Sequence, residues 1–195
     1  MGIFESKFNQ GHRIIEVYEG FPAEEVKLQP FIDFIVAVNG TKLIDSTIPF
    51  NDIVKLNANC ELTLEVYNLI EEKSREIKVT PRTIDGEGVL GVALRYENSI
   101  QAWSETLHIT KVLDDGPAKE VGLVANEDFI VGSKDFDMES IDELEEYAET
   151  NPYVNLYVYS NATKSVRSVT INTGYPEKKG RLGLEIAIGA LHSIK

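Results

Sequence analysis

The sequence predicts an α+β fold, predominantly β, built as two tandem copies of one small module. Three observations predict it. First, Pro22-Ala23-Glu24-Glu25-Val26-Lys27-Leu28 returns 95 residues later as Pro117-Ala118-Lys119-Glu120-Val121-Gly122-Leu123. At the same spacing Val17 meets Val112, Asp33 meets Asp128, and Phe34-Ile35-Val36 meets Phe129-Ile130-Val131. Second, after a small difference in length, Leu64-Glu65-Val66-Tyr67 pairs with Leu156-Tyr157-Val158-Tyr159, and Gly88-Val89-Leu90-Gly91 with Gly180-Arg181-Leu182-Gly183, so the order of elements is kept throughout. Third, 195 residues accommodate two modules of about 90 to 100 residues, each large enough to bury a core of its own.

Each copy reads as strand, short helix, strand, amphipathic helix, two strands, glycine turn and closing strand. The first strand, Arg13 to Tyr18, precedes a helix opened by Pro22, where the missing N–H removes a donor that a helix start leaves unpaired anyway. The next strand runs from Phe34 to Asn39, and Asn39-Gly40 turns the chain. Phe50, Ile53 and Val54, with Leu56 beyond them, recur at helical spacing, as do Ile141, Leu144 and Tyr147 in the second copy. Strands Glu61 to Tyr67 and Glu76 to Thr80 form a hairpin across Asn68 to Arg75, repeated by Asn155 to Ser160 with Ser165 to Ile171. The domains are thus an N-terminal segment over 1–11, a first module over 12–97, a polar linker over 98–105 that holds the only tryptophan, Trp103, and a second module over 106–195.

Composition excludes several function classes. The net charge is −13 and no basic footprint for phosphates is present, which disfavours nucleic acid and purely electrostatic adhesion to an anionic membrane. The carboxylates Asp142, Glu143, Glu145 and Glu146 read as the solvated face of a helix. The single cysteine, Cys60, rules out an intramolecular disulfide and fits a reducing compartment. The most apolar stretch, Phe31 to Val38, carries Asp33 and is too short to span a bilayer. The sequons Asn39-Gly40-Thr41 and Asn161-Ala162-Thr163 read as turns.

No catalytic constellation is legible. His12, His108 and His192 lie far apart in sequence, and no nucleophile elbow, P-loop or zinc-binding helix occurs. Gly86-Glu87-Gly88-Val89-Leu90-Gly91 has the spacing of a dinucleotide fingerprint. The next five residues, Val92-Ala93-Leu94-Arg95-Tyr96, alternate as a strand does, so the required helix is missing. No cofactor is expected.

The closing strands suggest binding instead. Each comes after a hydrophobic-Gly-hydrophobic turn, Leu90-Gly91-Val92 or Leu182-Gly183-Leu184. Glycine lets such a turn aim backbone amides at an incoming carbonyl or carboxylate. An open strand edge beside an apolar helix then accepts a peptide as an added strand. This inventory is that of a PDZ-like module, with the loop at the end of each copy, so the strand order is circularly permuted in the bacterial manner.

The residues Pro30-Phe31-Ile32-Asp33-Phe34-Ile35-Val36, the turn Gly86 to Val92, the strand Leu156-Tyr157-Val158-Tyr159 and Leu191-His192 together resemble the GRASP domain of Golgi reassembly and stacking proteins, nearly end to end. The resemblance implies a non-enzymatic adaptor on the cytoplasmic face of Golgi or early secretory membranes, a homo-oligomer in trans that also binds coiled-coil golgins or cargo tails. It implies that Ile53 and Val54 on the helix, with Leu90, Gly91, Val92, Ala93 and Leu94, carry self-association, and that the groove of Leu182, Gly183, Leu184 and Ile186 takes other partners. On this reading, Ile53→Asp with Val54→Asp abolishes self-association and leaves the fold intact. Met1-Gly2-Ile3-Phe4-Glu5-Ser6 fits the N-myristoylation pattern at Gly2. One myristate gives marginal membrane binding, so a second contact is needed. Some members of that family recruit a metal through a histidine and a cysteine at positions that are Arg13 and Glu97 here, so no metal site is expected. The second copy has Lys178-Lys179-Gly180 where the first has a leading glycine, and the Ser/Pro-rich tail of the family is not in this sequence. The rival reading is a tandem PDZ substrate-recognition fragment related to permuted-PDZ proteases.

Overall fold

Two antiparallel sheets, one per half of the sequence, carry the fold of this chain, known here from a computed structural model that describes residues 10–174 and 181–187. In the first half run β1 (Gln10–Val17), α1 (Pro22–Glu25), β2 (Asp33–Val38), β3 (Thr41–Lys42), a 3-10 turn (Leu43–Asp45), α2 (Phe50–Leu56), β4 (Leu62–Asn68), β5 (Lys73–Val79), β6 (Arg82–Ile84), β7 (Glu87–Val89) and β8 (Val92–Asn98). Helix α3 (Ser99–Ser104) comes next. The second half contains β9 (Leu107–Val112), α4 (Pro117–Glu120), β10 (Asp128–Ser133), α5 (Ile141–Thr150), β11 (Tyr153–Ser160), β12 (Ser165–Asn172) and β13 (Leu184–Ala187). The chain divides into two units, Met1–Gln101 and Ala102–Lys195.

The first sheet has the path β5-β4-β2-β1-β8, with β3 also on β2, and the second has β12-β11-β10-β9-β13. In each, the closing strand pairs antiparallel with the unit's first strand and ends the sheet. That order is the permuted PDZ-like arrangement, and the predominantly β class holds.

The duplication extends to irregularities of the backbone. In β1 the ladder to β8 skips Ile15, and in β9 the ladder to β13 skips Thr110. In β2 and β10 the bulges fall at Val36 and Val131. Each pair is separated by the 95 residues of the sequence repeat. A bulge adds a residue to one strand and increases its twist, so equivalent bulges bend both sheets alike. The short helices also end alike. Lys27 (φ +57°) and Gly122 (φ +75°) take the left-handed conformation after α1 and α4, and the amides of Leu28 and Leu123 close back on the carbonyls of Ala23 and Ala118, each at 3.1 Å.

Cores form where the strand alternation and helix faces meet. Ile14, Ile35, Phe50, Leu62, Leu64 and Val66 are buried in the first unit, and Ile109, Ile130, Leu144, Leu156, Val158 and Ile171 in the second. Helix α5 starts with a capping box: the Ser140 hydroxyl accepts from the Glu143 amide and the Glu143 carboxylate accepts from the Ser140 amide. Among the described residues no helix is long and apolar enough to cross a membrane.

Three local expectations are corrected. The hairpin connection shrinks from 68–75 to 69–72, because Asn68 pairs with Lys73 and its side chain accepts from the amides of Ile70 and Glu71, closing the turn early. The polar linker 98–105 contains α3, anchored by buried Ser99 and Ala102, and the division between units falls inside it. Leu56 does not extend the apolar face of α2; it points to solvent.

A buried ion pair repeats as well. Asp33 is 0% and Asp128 1% exposed, and each receives a bidentate arginine: Arg75 at 3.0 and 2.6 Å, Arg167 at 3.1 and 2.6 Å. The amides of Gln29 and Val124 donate to the same carboxylates at 2.9 Å. Both clasps tie the loop after the short helix to the second strand of the hairpin.

Candidate functional site

The site in each unit starts from its glycine turn. The amide of Tyr18 donates to the Gly91 carbonyl (2.9 Å) and that of Ala23 to the Leu90 carbonyl (3.0 Å); in the second unit Leu113 donates to Gly183 (2.9 Å) and Ala118 to Leu182 (3.0 Å). Four hydrogen bonds thus pin the turns by their carbonyls. The amides of Leu90 and Gly91 donate to no described residue. That arrangement suits an incoming carbonyl or carboxylate oxygen.

Glycine is required at both turns, for different neighbours. Gly91 (φ +77°) lies so close to Phe21 that a Cβ would come within 2.1 Å of the Phe21 Cβ. Gly183 (φ +75°) packs on backbone instead: its Cβ would come within 2.7 Å of the Gly116 Cα and 2.9 Å of the Pro117 Cδ. Phe21 and Gly116 occupy equivalent positions. The first turn is therefore backed by an aromatic ring and the second by a close glycine–glycine approach.

From each turn the closing strand leaves along an open border. Among the described residues no strand pairs with the outer side of β8 or of β13. Ile53 on α2, and Val92 and Leu94 on β8, lie half-buried against one core cluster, while Leu90 is fully buried. Gly91 is buried and Ala93 half-buried between them. In the second unit Leu184 and Ile186 are the half-buried strand residues, with Leu182 buried and Gly183 half-buried at the turn. Ile141 and Tyr147 of α5 pack against the same core cluster, and Tyr147 stacks on Phe136 with centroids 4.5 Å apart. Gly2 lies outside the described residues.

Val54 sits differently from Ile53. It is 6% exposed and belongs to the core proper, because its position on α2 turns it into the sheet beside Phe50. The expectation that Ile53→Asp with Val54→Asp leaves the fold intact therefore fails, since the second substitution places a carboxylate in the core. Of the two, only Ile53 is half-buried rather than buried.

The positions that the family resemblance associates with a metal come together as an ion pair. The Arg13 guanidinium, 1% exposed, donates to Glu97 at 2.9 Å and to the Phe31 carbonyl at 2.8 Å. Arg95 also donates to Glu97. Arg13 further lies against the rings of Phe31 and Phe34. A guanidinium has no lone pair to give, so these residues do not fit a metal. A hollow of about 340 Å³ beside α5 is lined by Phe136, Asp137, Glu143, Glu146, Tyr147 and Thr150, none of them from the turn or from β13.

His12 is the titratable group built into the first groove, with its ring 5.8 Å from Phe50 on α2 and 5.3 Å from Tyr96 on β8. Burial lowers its pKa below the ordinary 6.5. The unfolded chain therefore takes up this proton first, and stability drops as pH falls below about 6.5. In His12→Phe that component vanishes. Paired urea titrations should show the wild-type chain losing more stability than the variant between pH 7 and 5, and no divergence between pH 7 and 8.

Sequence reading missed Phe21, Gly116, His12 and Tyr96, whose roles depend on contacts between distant segments. It also missed Arg75 and Arg167, although these stand 92 residues apart, the spacing that already relates Leu64 to Leu156 and Gly91 to Gly183.

Comparison with known proteins gives a consistent answer. The GRASP55/65 PDZ-like domain family matches residues 2–87 and 64–195. Golgi reassembly-stacking protein 1 of Mus musculus is 32% identical over 189 residues, 95% of this chain and 42% of that protein. The Homo sapiens protein of the same name is 31% identical, again over 95% of this chain and 43% of its own length. An uncharacterized protein of Schizosaccharomyces pombe is 29% identical over 97% of this chain and 55% of its own. The chain spans about half the length of these relatives. With one permuted module repeated down to its bulges, and with matches running along the whole sequence, the chain belongs to the GRASP55/65 PDZ-like domain family.

Proposed function

We propose that this chain is a non-enzymatic adaptor whose grooves take up extended segments of other proteins, and that it self-associates in trans to tether Golgi or early secretory membranes on their cytoplasmic face. The observation that carries the proposal is the repeated construction of an open sheet border directly after a glycine turn whose carbonyls are already bonded inward. Main-chain hydrogen bonds to that border supply affinity, and the residues beside it supply selectivity. Two such grooves on one chain let it hold a second copy and another partner at once, and coiled-coil golgins or cargo tails are the partners proposed. The names of the mouse and human relatives support Golgi association. Acylation of Gly2 would give a first, weak membrane contact, and association in trans would strengthen it by multivalency.

The test tethers the chain to liposomes through an engineered N-terminal anchor and monitors their clustering by light scattering. Ile53→Asp, at a half-buried site on α2, should reduce clustering at least tenfold while the circular dichroism spectrum stays native. Clustering that persists undiminished would mean that the first groove does not mediate association.

A further inference from the structure

The first groove has two unlike ends, and the far one is aromatic. Its direction is set by two contacts. A Cβ on Gly88, just before the Leu90-Gly91-Val92 turn, would come within 2.2 Å of the Val54 carbonyl oxygen and 3.1 Å of the Ala58 Cα, so the C-terminal end of α2 lies at the turn. Phe50, the first residue of α2, instead meets His12, which lies opposite Tyr96 in the ladder between β1 and β8. Helix α2 therefore runs antiparallel to β8, with the glycine turn at one end and three rings at the other.

Strand alternation puts Val92, Leu94 and Tyr96 on one face of β8, the face that α2 covers. Tyr96 is 51% exposed, yet it is held in place. Its ring makes an edge contact with His12 at 5.3 Å and its hydroxyl bonds to Gln10 at 3.2 Å. A ring that is fixed before binding and still half open to solvent loses little freedom when a guest covers it, which is what makes aromatic anchors effective at interfaces. Burial keeps His12 neutral near pH 7, so an apolar guest meets no charge on the floor. Among the described residues of the second unit, Leu107 stands 95 residues after His12 and is buried, so that position carries no ring.

We propose that His12 and Tyr96, the first packed on the buried Phe50 ring, form an aromatic subsite at the far end of the first groove, selecting an aromatic side chain four residues upstream of the ligand residue held at the Leu90-Gly91-Val92 turn. This rests on the strand-addition reading above. In an added strand, alternate residues face α2: one beside Val92, the next beside Leu94, the third beside Tyr96. An aromatic guest there adds an edge-to-face or offset contact that an aliphatic one of similar size lacks.

The experiment uses the full chain and four hexapeptides, Ser-Xaa-Thr-Val-Thr-Val with a free C-terminus, where Xaa is Phe, Leu, Ala or Arg. Affinities come from calorimetry, and the first-groove component is the part removed by Ile53→Asp. In that component the Phe peptide should bind about three- to tenfold tighter than the Leu peptide. Tyr96→Ala should erase this preference, and Tyr96→Phe, which keeps the ring, should retain it. Equal binding of Phe and Leu, tightest binding of Arg, or a preference that survives Tyr96→Ala overturns the subsite while leaving the groove standing. If no peptide shows a component sensitive to Ile53→Asp, the groove reading and the subsite fall together.

Discussion

Val54→Asp is expected to unfold the first unit, with a loss above about 4 kcal/mol, while Ile53→Asp on the same helix leaves it folded. Val54 is buried at 6% exposure in the hydrophobic cluster that holds Ile14, Phe50, Leu64 and Leu90. An aspartate there either stays charged without a partner or takes up a proton and still forfeits the packing of the lost methyl groups. Either route removes a large part of the 5 to 15 kcal/mol, roughly, by which a domain of this size is stable. Ile53 is half-buried, so its replacement can reach water and should lower the melting temperature by only a few degrees. Thermal melts monitored by near-ultraviolet circular dichroism separate the two. A native-like melt for Val54→Asp would mean that this side chain lines the groove after all.

Arg167→Met should destabilise the second unit by about 3 kcal/mol, and more than Arg75→Met destabilises the first. Without its guanidinium, Asp128 stays buried with the Val124 amide as its remaining donor. Asp33 in the corresponding mutant keeps both the Gln29 amide and the Asn68 side chain, each at 2.9 Å. The arginines are themselves about a third exposed, which places the effect at the low end for buried pairs. Urea titrations of both variants at pH 7 would measure the two losses. Equal losses for the two variants would contradict this account.

The same clasp illustrates what was legible in advance and what was not. Asp33 and Asp128 stood out as a repeated pair, but their partners lie 42 and 39 residues further along, on the second strand of each hairpin. Reaching them requires knowing which strands neighbour which. The helices opened by Pro22 and Pro117 and the apolar faces around Phe50 and Leu144 were readable because propensity and periodicity act within one or two turns of chain. The extent of β5 was underestimated because Asn68 closes its turn through side-chain bonds to nearby amides, which no hydrophobic pattern signals.

By itself the sequence determined the duplication, the β-rich class, the glycine turns and the acidic character of the chain, since all of these are written in repeated spacing and residue type. The tertiary structure alone decided that Val54 is buried and Ile53 half-buried, that Arg13 neutralises Glu97, that Phe21 backs the first glycine turn, and that His12 lies against Tyr96. Those assignments depend on which segments of distant sequence are packed against one another. Burial and contact are properties of that packing, and a one-dimensional pattern specifies them only where the contacting residues are themselves close in the chain.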